Sequence, residues 1–183
     1  IYYSDAVKLG KSDPDYALYQ KSITAGLLKR PEDKLIGLNA LVKDYPKSRY
    51  LDASHYEIGK SLIATGQEDK ALLSLNKVVS DFPGSSYVRK ALVSIGQTLY
   101  NMAKDEEALM TFKRIIKDYP TFDDSREALI GMKNIYIDRG DAQGYDDYVN
   151  TLGFVDFSEA ARDSLYYEGA ETQYFDGNCK ESV

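Results

Sequence analysis

Tryptophan is absent from this sequence, and cysteine and histidine occur once each, at Cys179 and His55. A single cysteine closes no intrachain disulfide, and two such residues alone do not assemble a Cys/His metal site. His55 has no serine or cysteine at a motif spacing, so the chain carries no recognisable nucleophilic constellation. It reads as a packed, hydrogen-bonded histidine, and Cys179 as a small helix residue or an exposed thiol. No apolar run approaches the ~18 residues of a membrane-spanning helix. Positive charge is also short, with 23 Lys and Arg against 29 Asp and Glu, a net charge of −6. Without a basic block the chain lacks the clustered cations that neutralise nucleic-acid phosphates or anionic lipid headgroups. No phosphate-binding or dinucleotide fingerprint is present, and "DRGDAQGYDD" lacks the spacing of a calcium loop. The acidic clusters Asp105/Glu106/Glu107, Asp123/Asp124 and Asp146/Asp147 are neighbours in sequence, which do not share a helix face. They read as solvated helix-start residues that complement the helix dipole. These absences lead to an expectation of no metal, no cofactor and no enzyme activity.

What is plentiful is tyrosine, at 16 residues, and repetition. "VKDYPKSRYLDAS" begins at Val42, "VSDFPGSSYVRKA" at Val79 and "IKDYPTFDDSREA" at Ile116, each 37 residues after the last. Cutting at that interval gives units 11–47, 48–84, 85–121 and 122–158, a partial unit 159–183, and residues 1–10 as the end of a preceding unit. Tyr45, Phe82 and Tyr119 share a column, as do Pro46, Pro83 and Pro120. Gly66, Gly140 and Gly177 share another, with Ala103 among them. Inside a unit the apolar period is near 3.6. Ala71, Leu72, Leu75, Val78, Val79 and Phe82 recur at amphipathic-helix spacing. Gly66 falls where a first helix must turn, and Pro83 ends the second, because proline pushes its predecessor out of the helical region. The expected fold is all-α: a right-handed α-solenoid of antiparallel helix hairpins, stacked because one hairpin cannot bury its apolar face alone. Gly59 and Gly96 are expected to face Ala71 and Ala108, bringing paired helices close.

Gly59, Gly66, Ala71 and Pro83, then Gly96, Ala108 and Pro120, stand at the spacing of small residue, turn residue, alanine and proline that resembles the tetratricopeptide repeat. The resemblance covers nearly the whole chain and is most specific over residues 48–121. The family's period is 34; the three extra residues here follow the proline, in "PKSRYLD" and "PGSSYVR". This longer form, with its "YP-x-S-x-Y" joint, is similar to repeats of bacterial envelope proteins, namely outer-membrane assembly lipoproteins and the periplasmic Tol-Pal-associated repeat protein. It implies a bacterial periplasmic or outer-membrane-associated setting, with the cytoplasm as the alternative. The fourth unit departs from the pattern. Lys133 replaces the small residue, Tyr145 the alanine and Phe157 the proline, so looser packing and altered curvature are expected there. With no Met at its start and no polar capping helix, the chain reads as a piece of a longer array.

The resemblance implies that the first helix of each hairpin, helix A, lines a concave face that binds a peptide or partner protein. Carried onto this sequence, the candidate partner-binding residues are Tyr19, Tyr56, Lys60, Gln97, Tyr100, Asn101, Asn134, Tyr167, Glu171 and Tyr174. Tyrosine presents a large apolar face and a hydroxyl at low entropic cost. The Lys/Asn/Arg clamp by which some of these repeats hold chaperone tails is not written here, since Tyr19 and Tyr56 stand where its first lysine would be. The expected function is a protein–protein interaction scaffold. The alternative is a homo-oligomeric assembly module joined through uncapped ends, with no peptide groove.

Overall fold

The structure, a computed structural model, describes residues 13–121, 123–153, 155, 158–175 and 177. The expected tail at residues 1–10, Phe157 and Cys179 lie outside the described residues. Among those described there are nine α-helices and no strand: α1 (Pro14–Leu27), α2 (Pro31–Asp44), α3 (Leu51–Ile63), α4 (Glu68–Asp81), α5 (Tyr87–Asn101), α6 (Asp105–Asp118), α7 (Asp123–Asp138), α8 (Ala142–Asn150) and α9 (Glu159–Phe175). The fold is an all-α helical repeat. Odd-numbered helices are the A helices and even-numbered ones the B helices. Two compact units divide the chain, Ile1–Thr98 and Leu99–Val183. In the first, α1 packs on α2, α2 on α3 and α3 on α4; in the second, α7 packs on α6, α8 and α9, and α8 on α9.

Local chemistry explains the ends. Pro14 and Pro31 open α1 and α2, where a missing N–H costs nothing. Glu68 and Asp69 open α4, and Asp105, Glu106 and Glu107 open α6, placing negative charge at the positive end of the dipole. Tyr45, Phe82 and Tyr119 cap the C-termini of α2, α4 and α6, and the residue after each is proline.

Each of the four described A-to-B turns contains a left-handed residue, and Gly177, just after α9, adopts the same backbone. Gly66, Gly140 and Gly177 have φ of 68°, 70° and 81°. Ala103, in the same column, has φ 55°, and Lys29 has φ 58°; the column at residue 29 was not anticipated from the sequence. A side chain in this region costs ~1–2 kcal/mol. Glycine there gives back ~0.4–1 kcal/mol through the freer unfolded chain. Ala103→Gly is therefore expected to raise stability by roughly 0.5–1 kcal/mol, read as a higher midpoint in urea unfolding.

The extra residues of the long joint have a defined use. The Ser48 hydroxyl accepts the Tyr50 amide at 3.1 Å and donates to Asp15 Oδ2 at 2.6 Å. One interval later Ser85 accepts the Tyr87 amide at 3.0 Å and donates to Asp52 Oδ2 at 2.5 Å. Each serine thus folds the joint locally and ties it to the start of the preceding A helix. The third joint differs. Its serine column holds Phe122, which lies outside the described residues, and Ser125 instead donates to the Tyr119 carbonyl at 2.5 Å.

The nearest side chain to Gly59 is Leu75, one turn on from Ala71: a Cβ at Gly59 would sit 2.6 Å from Leu75 Cγ. In the fourth unit helix B is short, and it meets its A helix more sparsely than the hairpin helices of the first unit do, as the departures from the repeat pattern led one to expect. α8 has nine residues against fourteen in α2, α4 and α6, yet Tyr145 and Val149 are buried. Tyr145 packs on Tyr136 with ring centroids 6.1 Å apart, and burial pushes its pKa up to about 12. Lys133 reaches out of the small column to Glu168 on α9, at 2.7 Å.

Candidate partner-binding surface

In the first unit the A-helix tyrosines belong to a repeating aromatic stack. Tyr19 on α1 stacks on Tyr50 at 5.2 Å and 13°, and Tyr56 on α3 meets Tyr87 at 5.2 Å and 38°. Tyr16 also reaches Tyr50, at 5.5 Å. The repeat interval separates Tyr19 from Tyr56 and Tyr50 from Tyr87, so one contact is made twice. Tyr50 and Tyr87 are the last residues of the "YP-x-S-x-Y" joint, and the serine bonds described above hold them in place. Burial, and then Tyr87 through its charge and a hydrogen bond, push the Tyr19 phenol well above its ordinary pKa.

Tyr19, Tyr50, Tyr56 and Tyr87 are half-buried and Tyr16 is exposed, so part of each ring meets solvent. The Lys60 ammonium lies 5.5 Å from the Tyr56 ring centroid, within cation–π range, and 3.9 Å from Glu57. Glu57 also pairs with Lys34 on α2 at 2.6 Å, and here both side chains are largely covered, at 14% and 18% exposure. Gln97 on α5 is exposed. Sequence reasoning identified Tyr19, Tyr56 and Lys60 but missed Tyr50, Tyr87 and Lys34. The joint motif contained the two tyrosines; nothing in the local pattern pointed to Lys34, which meets Glu57 only across the α2–α3 packing.

In the second unit Tyr100 is half-buried and donates its hydroxyl to Asp138 on α7. That bond, with burial, raises its pKa to about 12. Asn101 and Asn134 are exposed. On α9, Tyr167, Glu171 and Tyr174 fall at i, i+4 and i+7, on one face. Tyr167 and Tyr174 are 69% and 62% exposed, and Tyr174 makes an edge contact with Phe175 at 5.7 Å.

The acidic clusters are less uniform than expected. Asp105 and Glu106 do open α6, but both also bind Arg139, at 3.1 and 2.7 Å. Asp146 is no helix-start residue. It sits mid-helix in α8, buried, with Arg162 at 2.8 Å, the Asn150 amide at 2.9 Å and the Tyr166 hydroxyl at 3.2 Å. The Arg162 hydrogen bond is the main cause holding its carboxyl below the usual range. This network fastens α9 to α8. Its neighbour Asp147 is exposed and accepts from Gln143.

His55 is buried beside Phe82, with ring centroids 6.2 Å apart, and its backbone carbonyl accepts from Ser74 at 3.0 Å. Burial, then the Lys77 charge, pushes the imidazole below its ordinary pKa, with Asp81 acting the other way. Among the described residues no group of three or more His, Cys, Asp or Glu is placed to hold a metal ion. No helix there is long and apolar enough to cross a membrane.

The tetratricopeptide repeat model matches residues 53–85 and 90–121. Among solved structures, the chain resembles a tetratricopeptide repeat protein from Parabacteroides merdae, with 18% identity and a TM-score of 0.69 over 92% of this chain. The match spans 62% of that protein's chain. It also resembles YrrB, described as a TPR protein with an unusual peptide-binding site, at 13% identity and TM-score 0.66 over 99% of this chain and 87% of that one. MamA is similar at 14% identity and TM-score 0.62, over 96% and 87%. No curated protein matches the chain. At these identities the structures establish the fold alone. Two stretches of this chain therefore match the tetratricopeptide repeat, and they are set in an all-α helical-repeat fold similar to those structures.

Proposed function

We propose that the protein is a non-enzymatic interaction scaffold that binds a peptide or partner protein on the faces of its A helices. The observation that carries this reading is the tyrosine stack of the first unit. Two copies of one aromatic contact, Tyr19 on Tyr50 and Tyr56 on Tyr87, recur at the repeat interval with Lys60 beside them. Rings held by their neighbours have little freedom left to lose, so a partner that covers them meets a preorganised surface. Gln97 extends this patch, and Tyr100, Asn101, Asn134, Tyr167, Glu171 and Tyr174 form the corresponding patch in the second unit. Tetratricopeptide repeats generally serve protein–protein interaction, and one structural relative is described as having a peptide-binding site. The joint motif favours a bacterial periplasmic or outer-membrane-associated setting.

A second reading, self-association, draws on the exposed Tyr167, Tyr174 and Phe175 of α9. One experiment separates the two. The wild-type protein and a Tyr56→Ala/Tyr100→Ala variant, matched in circular dichroism, are used as bait against extract of the native source, and their masses are measured by light scattering across a concentration series. The scaffold reading expects a partner held by the wild type and lost by the variant, with both proteins monomeric throughout. A mass that rises with concentration, with no partner captured, favours self-association. A partner kept by the folded variant sinks the A-helix site.

A further inference from the structure

A groove of about 760 Å³ lies between the B helices α2 and α4, floored by α3. None of the A-helix candidates lines it. We propose that this groove is a second docking site, for an extended, acidic peptide segment of a partner protein.

Three features carry the proposal. The walls are apolar, with Leu35 and Val42 on α2 facing Leu73 on α4, and Leu73 is 70% exposed. A lone exposed leucine is ordinary; one that lines a concavity is where a partner side chain gains by burial. The second feature is a pair of carboxamides one repeat apart. Asn39 Nδ2 donates to the Leu35 carbonyl and Asn76 Nδ2 to the Leu72 carbonyl, each at 2.8 Å. Those bonds engage the Nδ2 donors of two groove-lining amides and leave the acceptor capacity of Oδ1 unspent by them. An extended chain has backbone N–H groups to offer such acceptors, whereas a helix has spent them internally. This favours a strand-like occupant.

Charge is the third feature. Lys70 and Lys77 are seven residues apart on α4, on one face, and both line the groove. Lys70 is hydrogen-bonded to the neutral Gln67 at 2.9 Å. No Asp or Glu lines the groove, although the chain as a whole carries −6. A cationic rim on an acidic protein steers acidic partners in and repels basic ones.

The test uses an array of short synthetic peptides in which Leu, Ile or Val alternates with Asp, Glu or Ser, beside a matched array with Lys and Arg in place of the acids. Affinities are measured by fluorescence anisotropy and the contact surface by amide chemical shifts. Acidic members are expected to bind, to shift amides in residues 35–42 and 70–80, and to lose about tenfold in affinity against Lys70→Glu/Lys77→Glu. Tyr56→Ala should leave this binding unchanged, so its failure is separable from failure of the A-helix site. If the charge reversal disturbs folding, Lys70→Gln/Lys77→Gln reports the same loss in smaller measure. Methylating the backbone nitrogens of a binding peptide should abolish binding. Any of four results overturns the proposal: no acidic member binds, basic members bind equally well, the bound peptide is helical, or the groove amides shift only with protein concentration through self-association.

Discussion

Phe112→Ala is expected to destabilise the second unit by ~3–5 kcal/mol, the usual cost of emptying a buried phenylalanine site. Phe112 lies on α6 at 0% exposure, and its ring rests on the bare backbone of Gly131 in α7. A Cβ at Gly131 would sit 2.4 Å from Phe112 Cζ. The ring is thus the filler of the α6–α7 crossing, and neither helix can move in to close the hole without losing its other contacts. The reverse change is costly too: Gly131→Ala forces the ring aside, at ~1–3 kcal/mol. The two are coupled, since Phe112→Leu makes room for the new methyl. The double variant Phe112→Leu/Gly131→Ala should be more stable than the sum of its single effects implies. Urea unfolding followed by circular dichroism measures the wild type and all four variants. A loss below ~1.5 kcal/mol for Phe112→Ala would mean that the helices collapse into the space and the crossing is not rigid.

Lys34→Met should cost ~2–4 kcal/mol by leaving the Glu57 carboxylate largely covered and short of a partner. Lys34 and Glu57 meet at 2.6 Å between α2 and α3, with 14% and 18% of their side chains exposed. Lys60 is the remaining cation, at 3.9 Å and half in solvent, which places the estimate below that for a fully isolated charge. Desolvating two ions opposes their attraction, so the pair need not favour folding over an apolar pair of similar size. Lys34→Met/Glu57→Leu is accordingly expected to recover most of the stability. A double-mutant cycle by chemical denaturation reads both quantities. If the double variant is as unstable as Lys34→Met, the ion pair stabilises in its own right and the unpaired-charge explanation fails. Glu57 adjoins Tyr56 and Lys60, so Lys34→Met should also weaken any ligand of the A-helix patch.

The long joint shows how far a periodic signal reaches. "YP-x-S-x-Y" marks where one hairpin ends, because proline and an aromatic cap act on their own backbone. The serine's second bond goes to Asp15 or Asp52, 33 residues earlier, and no local pattern announces it. The terminal tyrosine carries no obvious role until it is found stacked on the A helix behind it. The turn column behaves in the same way. Gly66 and Gly140 are readable from the residue type, whereas Lys29 and Ala103 adopt the same backbone without the residue that advertises it.

By itself the sequence determined the all-α architecture, the alternation of A and B helices, and the places where they start and stop. Those properties follow from the 3.6-residue apolar period, from proline and from the backbone freedom of glycine, all of which act within a turn or two of helix. Only the tertiary structure decided which columns meet. It set Gly59 against Leu75, Lys34 against Glu57, Phe112 against Gly131, and the buried Asp146 against the partly exposed Arg162. It also opened the groove between α2 and α4, whose amides and lysines are unremarkable residues of two separate polar helix faces. Pairings of this kind depend on how far apart two helices pack and at what rotation. A period fixes which residues share a face and leaves open what that face will touch.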